Sequence, residues 1–259
     1  QVVFELYSLY LKDLDFLFDG KVKIDYFNEK IDYYGNFYYE NLQSNINVEM
    51  TKKIAKFYLV SQPFKSLKFL KNFLHLPNIA ESWMYDNVKG DIKIEELYAE
   101  YDLINNHIIE NSIQGKAQIK DAKIRFHKDV DVVNTKSLDI FFKDNRLHFN
   151  LMEPMFKDKK LDGSFVLINN LTSEKNGQVD VFLKTNSKLD KDILDILKAY
   201  NITLPIIQKN GNTQASLLMK FPYDTTKNMS TYGEFFLNDA KVAINNFEFE
   251  SKNTEVILD

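Results

Sequence analysis

Four histidines, His75, His107, His127 and His148, are the side chains in this sequence best suited to bind a metal or carry a proton near neutral pH. They are far apart, and none sits in the one-turn (i, i+4) helical spacing of a metalloprotease site. No phosphate-cradling Walker loop and no nucleophile elbow occurs. Asp190, Asp192 and Asp195 place three carboxylates at short intervals, as a calcium loop would, but the loop glycine and the closing glutamate are missing. That group reads as the solvated face of a helix. With no cysteine, disulfide and thiolate chemistry are excluded while the compartment stays open. The triplets beginning at Asn170, Asn201 and Asn228 fit a glycosylation pattern, which a chain this rich in asparagine generates freely. The sequence therefore reads as a non-enzyme with no cofactor and no metal.

The bulk properties narrow the class further. Hydrophobic residues make up 44% of 259 positions, enough for a substantial core, and aromatics reach 14%. A formal net charge of -4, with lysines spread along the chain, provides no electrostatic footprint for nucleic acid. No run approaches the roughly 20 apolar residues that span a bilayer. The sequence opens at Gln1 and stops inside an apparent strand, so it reads as a piece of a longer polypeptide.

What remains is pattern. In GKAQIKDAKIRF, residues 115–126, Ala117 and Ile119 alternate with polar residues, as a half-buried strand requires. After Asp121 the phase slips, and the apolar set becomes Ala122, Ile124 and Phe126. The same figure returns as GEFFLNDAKVAI, residues 233–244, where Phe235 and Leu237 give way to Ala240, Val242 and Ile244. A one-residue slip turns a strand inside out unless a bulge or tight turn absorbs it, so each Asp-Ala-Lys is expected to be a structural joint.

The echo extends to other segments at comparable spacing. HLPN (75–78) parallels TLPI (203–206), and DYYGNFYYEN (32–41) parallels KLDGSFVLINN (160–170). Two β-rich repeat units are expected, 1–137 and 138–259, each interrupted by an amphipathic helix, near 63–75 and 188–200. Each helix is expected to end before a Leu-Pro pair, and the second to be capped from Ser187. A further helical turn is expected over 78–88, carrying the single tryptophan, Trp83. Asp19-Gly20, Asp144-Asn145 and Lys209-Asn210-Gly211 are read as turns. The tyrosine-rich run 26–39 could stack bases or sugars or form an interfacial belt, but tyrosine also favours any strand. The fold class is mainly β: an elongated, curved antiparallel sheet with an apolar groove and short helices between strands.

Glycine-led strands, the repeated Asp-Ala-Lys joint and a helix ending at Leu-Pro together resemble the AsmA-like proteins, in particular the group that includes YhdP and TamB. This resemblance implies a bridge-like lipid carrier, a long β-sheet apolar within and polar outside. It implies a periplasmic location and an inner-membrane anchor outside the present sequence. The partners it implies are phospholipid or another acyl-chain lipid, further repeat units of the same chain, and the inner and outer membranes.

The groove-lining residues are then expected on the alternating faces: Ala117, Ile119, Ile124, Phe126, Leu138, Ile140, Phe142, Leu147, Phe149, Leu151, Val179, Val181, Leu183, Phe235, Leu237, Val242, Ile244, Phe247, Phe249, Val256 and Leu258. A buried methylene is worth about 0.8 kcal/mol, so a sixteen-carbon chain exposed to water costs on the order of 10 kcal/mol, which an apolar trough removes. The rival reading is a non-enzymatic β-sandwich scaffold or binding module of the cell envelope, whose apolar faces meet each other.

Overall fold

Period-two alternation broken by short turns builds an antiparallel meander, and among the described residues the computed structural model contains 17 strands of one antiparallel sheet that does not close, with two short α-helices. The structure describes every residue except 14, 69–70, 72–75, 174, 245–246 and 259. The chain forms two compact units. Unit 1 comprises residues 1–75, 90–120 and 139–148, and unit 2 comprises 76–89, 121–138 and 149–259.

In unit 1, β1 (Val2–Leu11), β2 (Phe16–Asp25), β3 (Lys30–Tyr39), β4 (Leu42–Met50), β5 (Ile54–Ser61) and β6 (Val88–Asp102, from residue 90) pair in succession, each antiparallel to the last. β7 (His107–Ile108) pairs with the end of β6. β8 (Gln114–Ile124), β9 (Val133–Lys143) and β10 (Arg146–Met152) contribute residues to both units.

Unit 2 adds β11 (Met155–Phe156), β12 (Lys159–Lys160), β13 (Phe165–Asn169), β14 (Gln178–Ser187), β15 (Ile207–Pro222), β16 (Ser230–Ile244) and β17 (Phe247–Leu258). β13 to β17 form a continuous antiparallel ladder. The α-helices among the described residues are α1 (Asn78–Tyr85) and α2 (Lys191–Ala199), both in unit 2.

The two Asp-Ala-Lys joints behave as the phase slip requires. Asp121 and Asp239 hold φ of 47° and 42° inside continuing strands. Burial changes phase across them: Ile119 and Ala122 are both buried, as are Leu237 and Ala240, with two exposed residues between each pair. Opposite Asp239, the β15 register shifts on either side of Asn210. Asp144-Asn145 is a two-residue turn between β9 and β10 with φ of 51° and 57°, the positive pair that a type I′ hairpin needs.

Four local expectations are corrected. Asp19-Gly20 is no turn but the middle of β2, where Gly20 faces Gly35 so closely that a Cβ on Gly35 would lie 2.0 Å from the Asp19 carbonyl oxygen. Lys209-Asn210-Gly211 is the irregular stretch of β15 rather than a strand end. The helix expected near 63–75 lies partly outside the described residues, and its first part is extended, with Phe64 bridged to Ile92 through two 2.8 Å backbone bonds. Finally, α2 is capped by Asp190, whose carboxylate accepts from the Asp192 and Ile193 amides, and not by Ser187. An aspartate at the N-cap both satisfies orphan amides and faces the positive end of the helix dipole. Among the described residues, α1 follows its Leu-Pro pair and α2 precedes its own.

Candidate functional site

Cross-strand register in unit 1 assembles an apolar face that runs from β1 to β6. Residues directly opposite in an antiparallel pair share a face. One row of neighbours is Phe4, Val22, Tyr33, Val48, Phe57 and Ala99; another is Leu6, Gly20, Gly35, Ile46, Leu59 and Leu97. Ile46, Val48 and Ala55 form a buried nucleus, with Tyr33, Phe37, Met50, Phe57 and Tyr101 packed half-buried around it. Phe16 meets Phe37 and Tyr39 edge-on at 5.0 and 5.1 Å, an arrangement that the ring quadrupoles favour.

Tyr33 lies over the glycine pair, its hydroxyl within 2.8 Å of the Asp19 carbonyl and 2.9 Å of that of Asn36. Burial and the nearby Asp19 charge push its pKa up to about 12, so the phenol stays neutral. Toward β1 the face opens to solvent, with Val2 and Phe4 exposed. No α-helix lies among the described residues of this unit.

The reverse face of the same strands is polar. Asp19, Asn36 and Asn45 are opposite one another, Asn45 Nδ2 donating to Asn36 (2.8 Å) and Asn36 Nδ2 to Asp19 (2.7 Å). Lys30 pairs with Asp32 at 2.9 Å and Glu49 at 3.5 Å, and the hydrogen bond to Asp32 leads in raising its pKa. Unit 1 is thus a one-sided sheet, apolar on one face and hydrated on the other.

Unit 2 uses the same register logic with a different outcome. Val166 opposes Val181, Leu183 opposes Leu217, Ala215 opposes Phe235 and Phe235 opposes Val256. Over this face lies α2, whose Ile193, Ile196 and Leu197 are buried. Between helix and sheet lies a small cavity of 40 Å³, lined by Leu161, Leu183, Ile196, Leu217 and Phe235 among others. Trp83 of α1 packs against Phe126 at 5.6 Å and Phe149 at 6.3 Å. The Tyr200 hydroxyl donates to the Phe126 carbonyl at 2.8 Å, and burial raises its pKa.

The start of α2 is held by ions. Lys159, 5% exposed, reaches Asp158 (2.7 Å), Asp190 (2.9 Å) and Asp192 (3.6 Å), while Lys157 pairs with Asp192 (2.6 Å) and Asp131 (3.3 Å). A buried ammonium keeps its charge only with such partners.

The sequence-expected groove residues fall into three groups. Ile119, Ile124, Phe126, Leu138, Ile140, Leu147, Phe149, Leu151, Val179, Val181, Leu183, Phe235, Leu237 and Val242 are buried. Ala117, Phe142, Val256 and Leu258 are half-buried. Ile244, Phe247 and Phe249 are exposed, Phe247 to 70%. Register brings Val242 opposite Phe249 and Ile244 opposite Phe247, extending the covered face of β16 onto an uncovered stretch of β17.

The apolar face of β1 to β5 was absent from those expected residues. Its signal was present in Phe16, Phe18, Val22 and Ile24, and in Ile31, Tyr33, Phe37 and Tyr39, but the tyrosines make both faces of β3 look alike.

The polar candidates take structural places. Asp190 caps α2 and Asp192 pairs with two lysines. His127 lies edge-on to Tyr200 at 5.0 Å, and burial lowers the pKa of His148. His75 lies outside the described residues. Among the described residues no group of three metal-binding side chains occurs, and no helix is long and apolar enough to cross a membrane. A family model described as YhdP protein matches residues 75–259, well over half of the chain. No curated protein and no solved structure matches.

Proposed function

The chain belongs to the YhdP family, and from that membership and the one-sided sheet we propose that it is part of a lipid carrier that shields acyl chains from water. The observation that carries this reading is the apolar face of unit 1, six strands wide and backed by a polar face. A face of aliphatic and aromatic side chains with few hydrogen-bonding groups suits an acyl chain, which needs contact and dehydration rather than directional bonds. A shallow face suits passage, because a lipid held tightly at one point would not move on. Lipid contact is assigned first to this face and to the uncovered Ile244, Phe247 and Phe249. The repeat over 1–137 and 138–259 is the recurring element of such a carrier. Phospholipid is the cargo, and the periplasm between inner and outer membrane the setting, as the family resemblance implies; no catalytic step is required.

A second reading, a scaffold or binding module, has its support in unit 2, where α2 fills the space above Leu183, Leu217 and Phe235. Photocrosslinking separates the two. A photoreactive phenylalanine at Phe37, on the apolar face, is expected to capture phospholipid from vesicles, while one at Asn36, on the reverse face, is not. Equal capture at both positions, or none at Phe37, refutes the carrier.

A further inference from the structure

The apolar face of unit 1 ends at one edge in a register row that includes Ile24 on β2, Ile31 on β3 and Met50 on β4. At this edge the chain reverses between β2 and β3 (residues 26–29) and between β4 and β5 (residues 51–53). Successive turns on one edge are two strand spacings apart, about 10 Å. Between them lies an open cavity of 390 Å³, lined by Ile24, Ile31 and Met50 and by Glu29 and Lys52 of the two turns. That volume lies in the range of small-molecule sites.

The chemistry of this cavity is divided. Its floor continues the surface assigned to acyl chains, and its rim carries charge. Other charged groups nearby are committed elsewhere. Asp25 accepts from the amides of Phe27 and Asn28 at 3.1 Å each and from the Asn28 side chain, and these bonds hold its carboxyl below the usual range. Lys30 is engaged by Asp32 and Glu49 on the reverse face. The ion pair left across the mouth is Lys52 with Glu29, one residue from each turn, with side chains 70% and 56% exposed. An exposed pair of this kind is worth at most about 1 kcal/mol and opens readily.

We propose that this cavity is a headgroup site for a zwitterionic phospholipid: Lys52 takes the phosphate, Glu29 takes the ammonium of an aminoalkyl headgroup, and the acyl chains begin on Ile24, Ile31 and Met50. Charge complementarity selects this headgroup. Opening the Lys52–Glu29 pair presents one cation and one anion above an apolar floor, and a phosphate joined to an ammonium satisfies both. An anionic headgroup without an ammonium leaves the Glu29 carboxylate without a counter-ion beside a second negative charge. The Asp25-centred turn supplies a backbone already ordered before the lipid arrives.

This inference rests on the carrier reading, and its test separates the two. The protein is incubated with vesicles of equimolar phosphatidylethanolamine and phosphatidylglycerol, re-isolated, and its bound lipids quantified by mass spectrometry. Wild type is expected to hold phosphatidylethanolamine in about threefold excess, the scale of one exposed charge contact. Glu29→Gln should remove the excess and Glu29→Lys should turn it toward phosphatidylglycerol. Thermal melting confirms that the variants are folded. Bound lipid whose composition ignores both substitutions overturns the headgroup site and leaves the carrier standing. Wild type that holds no lipid overturns the carrier, and the headgroup site with it.

Discussion

Replacing Val22 with aspartate places a charge at the centre of the unit 1 face, between Phe4 on β1 and Tyr33 on β3. Val22 is half-buried, so the protein loses about 1 kcal/mol of apolar burial, and the carboxylate can hydrate from the open side. For a chain of this size 1 kcal/mol lowers Tm by roughly 2–4 °C. Leu217→Asp is the matched change in unit 2. Leu217 is buried beneath α2 and opposite Leu183, and leucine deletion in such a site costs about 2–5 kcal/mol. An unpaired carboxylate adds further kcal/mol, so a Tm fall of more than about 10 °C is expected.

Lipid binding should respond differently. In Val22→Asp an acyl chain must desolvate a carboxylate, a cost of several kcal/mol, so affinity for a fluorescent phospholipid should fall more than about tenfold while the fold persists. Circular-dichroism melting and fluorescence titration measure the two quantities on the same samples. If Val22→Asp melts as far down as Leu217→Asp, the unit 1 face is a covered core and the reasoning fails. If it melts normally and binds lipid normally, the face is not the lipid path.

Two further outcomes concern the anchoring of α2. Asp190→Ala removes the helix cap, about 1 kcal/mol, and takes one partner from buried Lys159, so stability by urea titration should fall further than a lost cap alone explains, while Ser187→Ala should change it by less than about 0.5 kcal/mol. The hydrogen bond from Lys157 leads in holding the Asp192 carboxyl below its ordinary range, and that from Lys159 does so for Asp158. Their stabilisation is therefore complete above the unfolded carboxyl value of about 3.9 and is lost as pH falls through the lower folded values. Melting between pH 5 and pH 2 should show a smaller acid loss for Asp192→Asn than for wild type.

Much of the strand pattern was legible because a half-buried strand writes its orientation every second residue. The two joints were readable for the same reason: Ile119 to Ala122 and Leu237 to Ala240 break the period by one, and only an irregular backbone at Asp121 and Asp239 can keep both sides buried. Asp19-Gly20 misled because a glycine placed for close strand approach has the same local signature as one placed for a turn. Its reason, Gly35 across the ladder, is 15 residues away and visible only once register is known. The coverage of the apolar faces was not legible either. Alternation says that a strand has an apolar side, but not whether a helix such as α2 rests on it, since that depends on where the 191–199 segment docks. Hence the residues under α2 and the open row through Val22 and Tyr33 look the same in sequence while differing in what they can touch.

The most direct test of the account is to purify the protein without added lipid, extract it with organic solvent and identify what is released by mass spectrometry, with Val22→Asp and Arg125→Asp treated in parallel. Arg125 is exposed and its neighbours Ile124 and Phe126 are buried, so its substitution leaves the apolar faces untouched. Phospholipid is expected with wild type and Arg125→Asp, and a marked loss from Val22→Asp. Phospholipid-free wild-type protein that also takes up none from vesicles would contradict it.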